Sequence, residues 1–235
     1  MEQECKTSAS VREIFEAKNL SRVIKFLWNE PHYELTIKNI EYLHGLLLTN
    51  INDNFAGRIR RENEFVRIGT HIAPAPAHIG EMLDNMIFNY KNDDISCFIE
   101  KIALFHLEFE YIHPFCDGNG RMGRVLINQQ LADYGYPPVI IQNSSKRKEY
   151  YPYFTEYQRN RKLNDFDNHL SLALIESLNK RIAYLKGQKI VTLAQYAKGQ
   201  NRTLTTLLNA AKRQTIPAFR LMRTWSIAEN TQQTE

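Results

Sequence analysis

An all-α core interrupted by one short β-hairpin, followed by a small winged helix-turn-helix module, is the fold the sequence predicts. Three observations carry this. Apolar residues recur three or four positions apart over most of the first 185 residues, the spacing of buried helix faces. A period-two alternation stands at Val66–Ile72, around Gly69, as in a hairpin. Charge also divides the chain: through Glu176 it carries 20 Lys+Arg against 24 Asp+Glu, whereas residues 177–228 hold ten basic and no acidic residues. Asymmetry of this kind marks separate modules, the second facing a polyanion. The reading is a helical segment at 1–30, a helical domain at 31–185 and a tail module at 189–228.

The elements follow in order. Val11, Ile14, Phe15, Val23, Ile24, Phe26 and Leu27 form the stripe of a first helix, which Pro31 ends. A second runs from about Thr36, an N-cap residue with Asn39 in the first turn, and carries Ile37, Ile40, Leu43, Leu47 and Leu48 on one face. After the turn-rich stretch with the hairpin, Pro74 and Pro76 stiffen the exit. Helical spacing resumes at Ile79, Met82, Met86 and Phe88, and Asn92-Asp93-Asp94 make a turn. Phe98, Ile102, Phe105, Phe109 and Ile112 mark the next helix, which stops before Pro114 because proline disfavours helical backbone in the preceding residue. Val125, Leu126, Leu131 and Ala132 start another. Val139-Ile140-Ile141 is too short to classify, and Leu170 to Leu185 closes the helical domain.

Composition excludes several classes. With 43% hydrophobic and 24% charged residues, disorder is not the default. Cys5, Cys97 and Cys116 are few, odd in number and far apart, so neither a disulfide framework nor a zinc pattern follows, and a reducing cytoplasm is expected. No apolar run is long enough to span a membrane and no secretory signal is present. His106 and Glu110 lie one helical turn apart, but no H-E-x-x-H pattern accompanies them, so His106 reads as packing or as support behind a functional residue.

The chemistry concentrates in His113–Arg124, HPFCDGNGRMGR. A glycine-rich loop entering a helix N-terminus is an anion site, because free backbone N–H groups point outward at the positive end of the helix dipole. Gly118 and Gly120 permit close approach of a ligand to the main chain. Arg121 and Arg124 match phosphate oxygens with guanidinium forks. Asp117 is a hard oxygen ligand suited to Mg²⁺, and His113 can serve as a general base near neutral pH. Together these residues describe nucleotidyl or phosphoryl transfer to a hydroxyl.

The same stretch matches in full the signature H-P-F-x-[D/E]-G-N-G-R-x-x-R, and residues 30–175 resemble the Fic family. That resemblance implies a helical domain binding ATP and Mg²⁺ and transferring AMP to a hydroxyl of a target protein. His113 would be the base, Asp117 the Mg²⁺ ligand, and Gly118, Asn119 and Gly120 the anion hole. Arg121 and Arg124 would neutralise the β- and γ-phosphates, and Phe115 would anchor the loop. Glycine at 120, rather than lysine, favours AMP transfer over the phosphate transfer of the related Doc kinases. Ile68, Gly69 and Thr70 would form a flap that docks the target by strand addition. A tyrosine among Tyr150, Tyr151 and Tyr153 would line the base, with core packing as the alternative. The inhibitory [S/T]-x-x-x-E-[G/N] helix of many relatives has no full match: Glu2 and Glu4 lack its pattern, and Glu229-Asn230 has Trp225 where Ser or Thr belongs. Absence of inhibition in cis, an inhibitory partner and a diverged segment all stay open, as does a homo-oligomer.

In the tail, Leu193, Tyr196 and Ala197 give one helix face, Gly199-Gln200-Asn201 a turn, and Leu204, Leu207, Leu208 and Ala211 a second face. Thr215–Phe219 and Trp225–Ile227 read as two wing strands. The pattern resembles winged-helix modules of the excisionase and MerR type, which implies DNA contact through the threonines, Lys212 and Arg213 of the second helix. A nucleotide-sensing DNA-binding regulator or a toxin–antitoxin component is therefore the alternative to an enzyme.

Overall fold

The computed structural model describes residues 10–30, 32–69, 71–141, 151–200 and 202–229, with the side chain of Tyr151 left out. Helix α1 spans Val11–Asn29, started by a capping box in which Ser10 and Glu13 satisfy each other's main-chain N–H. Helix α2 spans Ile37–Leu48, and the Thr36 hydroxyl accepts from the N–H of Asn39, as the sequence reading expected. The hairpin is β1 (Arg67–Ile68) antiparallel to β2 (His71–Ile72), with Gly69 turning at φ 60°. Helix α3 (Ile79–Asn92), α4 (Phe98–Ile112), α5 (Asn119–Asp133), α6 (Tyr151–Asn160) and α7 (Phe166–Leu185) complete the helical part. Residues 139–141 belong to no regular element.

Helices α4 and α5 form the central pair because each is apolar on two faces. Phe105, Phe109, Ile112, Met122, Val125 and Leu126 pack against α1, α2 and α3, together with Val23 and Leu43. Ile102, Ala103, Leu107, Ile127 and Leu131 pack on the other side with Tyr157, Phe166 and Leu170. Each fully buried Leu, Ile or Phe contributes roughly 1.5–3 kcal/mol, so this pair is the rigid frame for the loop that joins it. His106 is buried and stacks on Phe166, which accords with the packing role read from sequence.

Three sequence expectations need correction. Val11 and Ile14 are 70% and 56% exposed, so the apolar stripe of α1 does not reach its first turns. There the helix overhangs the core, and Arg12 and Glu16 face the α4–α5 loop instead. The tail also begins with a strand the helix-face reading missed, β3 (Ile190–Thr192), before α8 (Leu193–Gln200) and α9 (Leu204–Lys212). The strand expected at Thr215–Phe219 lies later: β4 is Ala218–Leu221 and β5 is Thr224–Ala228, in a sheet ordered β3–β5–β4. Residues 190–192 are β-branched and half-buried, too short a run to separate from the helix that follows. Phe219 and Ala228 pack on Ala183 of α7, and the Arg220 guanidinium holds the Glu176 carboxylate at 2.5 Å.

Candidate active site

Residues 113–118 turn the chain between the central helices, and each end of the turn is fixed by buried polar contacts. His113 caps α4 in the left-handed region, at φ 49°. Its carbonyl accepts from Arg60 Nε at 2.9 Å. The same guanidinium donates to the carbonyls of Glu64, Pro74 and Ile112, and the Arg60 N–H donates to Pro114. Arg60 is 2% exposed, so a buried cation solvated by carbonyls ties the hairpin-bearing segment to the His-Pro turn.

Asn119 closes the other end. Its Oδ1 accepts from the Phe115 N–H at 3.0 Å, and its Nδ2 donates to the Phe115 carbonyl at 2.8 Å. Phe115 is fully buried and stacks on His44 at 3.6 Å between centroids. His44 Nδ1 accepts from the Gly57 N–H, which leaves the proton on Nε2 to reach the Asp117 carbonyl at 2.9 Å. Burial holds His44 at a pKa of about 4, so this neutral tautomer persists at pH 7. Gly118 has φ 85°, which favours glycine, and a Cβ there would also press on His44 Nε2 at 3.3 Å. Gly123 is required by contact: its Cβ would meet His106 at 2.6 Å and Glu110 at 2.8 Å.

Helix α5 opens at Gly118, so the first-turn N–H groups of Asn119 and Gly120 belong to those an α-helix leaves without an intrahelical carbonyl. The Asn119 side chain is buried and bonds Phe115 through both of its polar atoms, so it serves the loop while its main-chain N–H stands at the helix start. Arg124 Nη1 and Glu110 Oε1 flank Gly120, at 3.6 and 3.7 Å from where a Cβ would stand. His113 is 16% exposed, with Nδ1 3.4 Å from the Glu110 carbonyl and 3.7 Å from its carboxylate. A proton on Nδ1 therefore leaves Nε2 as the acceptor. Burial, helped by Arg60 and His71, lowers the His113 pKa to about 4 against the opposing pull of the Glu110 carbonyl.

The hairpin is rooted beside His113. His71 is buried in β2, meets the Tyr111 carbonyl through Nε2 at 2.9 Å, and lies against the Tyr111 ring. Ile68 and Gly69 stand at the turn, while Thr70 lies outside the described residues. So do Tyr150 and the Tyr151 side chain; Tyr153 packs against Phe166 and His169.

The most consequential contacts come from α1. Arg12 Nη2 lies 2.6 Å from Asp117 Oδ2, and Arg12 Nε 3.0 Å from Glu16 Oε1. Glu16 Oε1 lies 3.2 Å from Arg121 Nη1, and Arg121 Nη2 3.3 Å from Asp117 Oδ1. The four side chains make a closed ring of alternating charge over the mouth of the loop. Sequence reasoning missed Arg12, Glu16, Arg60, His44 and Glu110. For the first two a signal existed: Arg12-x-x-x-Glu16-Ala17 keeps the glutamate of the inhibitory pattern, with Arg12 in the Ser/Thr place and Ala17 in the Gly/Asn place. Of the earlier candidates, Glu2, Glu4 and Asn230 lie outside the described residues, and Glu229 pairs with Lys189 at 2.6 Å.

A family model described as Fic/DOC family matches residues 34–131. Protein adenylyltransferase fic-1 of Caenorhabditis briggsae is 34% identical over 149 residues, which is 60% of this chain and 29% of that protein. Protein adenylyltransferase Fic of Drosophila willistoni is 36% identical over 121 residues, 50% of this chain and 24% of that one. The chain thus spans less than a third of the length of these curated relatives. The crystal structure of a Fic domain containing signaling protein from Bacteroides thetaiotaomicron matches with a TM-score of 0.68 at 26% identity, over 78% of this chain and 76% of that one. Over residues 34–131 the chain is similar to the Fic/DOC family.

Proposed function

We propose that the chain is a protein adenylyltransferase that moves AMP from ATP to a Tyr, Ser or Thr hydroxyl of a target polypeptide, itself included. The observation that carries this reading is the convergence of a neutral imidazole, a carboxylate and two guanidinium groups around one helix N-terminus. The attacking hydroxyl oxygen bonds to the α-phosphorus while its proton passes to His113 Nε2. The bond from that phosphorus to the β-phosphate bridge breaks, and pyrophosphate leaves. Neutral at pH 7, His113 is ready to accept. The N–H groups of Gly118, Asn119 and Gly120, with Arg121 and Arg124, face the charge that develops on the phosphates. Asp117 fits Mg²⁺, which is commonly held by one or two carboxylates plus phosphate oxygens. Bound there, the ion would neutralise phosphate charge. The hairpin at Ile68, Gly69 and Thr70 is the target-docking flap in this reading.

Access to the loop is regulated in cis. Glu16 holds an arginine meant for phosphate and Arg12 holds the carboxylate meant for the metal, so ATP and Mg²⁺ enter when the first turns of α1 withdraw. The catalytic domain is 31–185, Arg12 and Glu16 belong to the helical segment 1–30, and the setting is the cytoplasm, where the free thiols Cys97 and Cys116 are stable. No described helix is long and apolar enough to cross a membrane.

For the tail, 189–228, the order β3–α8–α9–β4–β5 and the exposed Thr205, Thr206 and Lys212 of α9, with Arg213 at its C-cap, support a winged helix-turn-helix module that binds duplex DNA. That module keeps a nucleotide-responsive regulator as the second reading. Parallel incubations with ATP labelled at the α- or the γ-phosphate test the first. Protein-bound label from the α position alone supports AMP transfer. Label from the γ position alone, or none from either even after Glu16→Ala, overturns it.

A further inference from the structure

Glu110 stands in the last turn of α4, between the core residues Phe109 and Ile112, and its side chain is only 10% exposed. Burying a carboxylate is costly unless room and opposite charge are supplied, and α5 supplies both. Its glycines leave the room: a Cβ on Gly123 would stand 2.8 Å from Glu110 Oε1, and one on Gly120 3.7 Å. The first turn of α5, positive by its dipole, and Arg124 Nη1 flank the same place. The other oxygen, Oε2, lies 3.7 Å from His113 Nδ1. Around His113 the remaining charges are cationic. Burial foremost, then Arg60 and His71, lower its pKa to about 4, and among the described residues Glu110 carries the one carboxylate paired with its ring. Such an imidazole is unprotonated at pH 7 but reluctant to hold a proton, so the imidazolium formed in mid-reaction needs a partner.

We propose that Glu110 is a positioning residue, whose carboxylate takes the Nδ1–H of His113 and stabilises the imidazolium that forms as Nε2 accepts the hydroxyl proton. This rests on the reading of the chain as an AMP transferase with His113 as base. Before reaction Nδ1 faces the Glu110 carbonyl at 3.4 Å and the carboxylate at 3.7 Å, both acceptors on one side of the ring. Hydrogen bonds of this kind are often long without substrate and tighten as charge develops. The hydroxyl proton moves to Nε2, the ring becomes a cation, and its Nδ1–H closes on Oε2. Once AMP has moved, the Nε2 proton passes to water. Gly123 belongs to the same device, because a side chain there would push the carboxylate off its place.

The test uses the full chain carrying Glu16→Ala as parent, with Glu110→Gln, which keeps the shape and removes the charge, and Glu110→Asp, which keeps the charge one methylene further off. Transfer of label from α-labelled ATP to the chain or to lysate proteins gives kcat, calorimetry gives ATP affinity, and a thermal midpoint reports the fold. Glu110→Gln should lower kcat about ten- to a hundredfold, a part of what a positioned base supplies. Its ATP affinity should stay within about twofold of the parent's, with no lower midpoint, and Glu110→Asp should fall between the two in rate. If Glu110→Gln transfers at the parent's rate, or Glu110→Asp is no faster than Glu110→Gln, the carboxylate has no such role and the transfer reading stands. If ATP affinity and midpoint fall along with the rate, Glu110 is a structural support of the loop and the proposal is wrong. If the parent itself transfers no label, the transfer reading fails and takes Glu110 with it.

Discussion

Arg12 Nη2 lies 2.6 Å from Asp117 Oδ2, across 105 positions of sequence. That contact places a cation on the carboxylate best suited to a metal, while Glu16 places an anion beside an arginine best suited to phosphate. The first turns of α1 therefore present a charge pattern like that of a metal–triphosphate pair. Arg12 is 54% exposed, and exposed ion pairs contribute about 1 kcal/mol or less. Arg12→Ala should accordingly raise affinity for Mg²⁺–ATP only about two- to fivefold by calorimetry. Glu16→Ala, which releases the less exposed Arg121, should give the larger gain, up to about tenfold. Unchanged affinity in both variants would make the ring a purely structural contact.

Arg121→Ala should weaken ATP binding and AMP transfer together, because it removes a charge-assisted phosphate contact worth about 1.5–3 kcal/mol. The expected loss is roughly ten- to a hundredfold in ATP affinity. An affinity equal to the parent's, read by the same calorimetry, would remove Arg121 from the phosphate site.

Arg60→Ala should cost stability as well as activity. It leaves the carbonyls of His113, Glu64, Pro74 and Ile112 without their donor in a buried site. Each orphaned group costs about 1–3 kcal/mol before relaxation, so a total of at least about 3 kcal/mol is expected in urea unfolding. A loss under about 1 kcal/mol would mean that water replaces the guanidinium freely.

The pH dependence follows from three histidines whose pKa burial lowers. His44, His106 and His113 are held at about 4, 3 and 4, below the ordinary 6.5, foremost by burial. Their folded values lie below the unfolded ones, so the unfolded chain binds more protons as pH falls. Stability is complete above about pH 6.5 and is lost toward pH 4, with each histidine contributing up to about 1.4 kcal/mol per pH unit. Urea midpoints should therefore drop across that window. AMP transfer by folded protein should keep its base form to near pH 4–5. An acid limb centred near 6.5, measured where the fold is intact, would contradict the burial of His113.

What sequence could show and what it could not divide along physical lines. His113, Asp117, Gly118, Asn119, Gly120, Arg121 and Arg124 fall within twelve positions, and the loop needs no distant partner to be recognised. Most helices around it were readable because burial repeats at the helical period, down to the Thr36 cap; α6, Tyr151–Asn160, was not, since tyrosine and basic residues blur its face. Arg60, His44 and Glu16 carry no such mark. Their partners lie 53, 73 and, for Glu16, 105 positions away, so only the fold brings them together. Val11 and Ile14 misled for the converse reason: an apolar pattern continues where α1 has already left the core. Strand β3 failed on length, since three residues cannot establish a period.

The central claim is that His113 takes the proton of a hydroxyl while other groups hold the nucleotide. The measurement that tests it most directly sets His113→Ala beside the parent, both carrying Glu16→Ala so that the site is open. Covalent AMP is read by intact mass, and ATP affinity by calorimetry. The account predicts that the mass gain of one AMP disappears while ATP affinity stays within about twofold of the parent's, since the base does not hold the phosphates. Full AMP transfer by the alanine variant, with ATP bound, would contradict it.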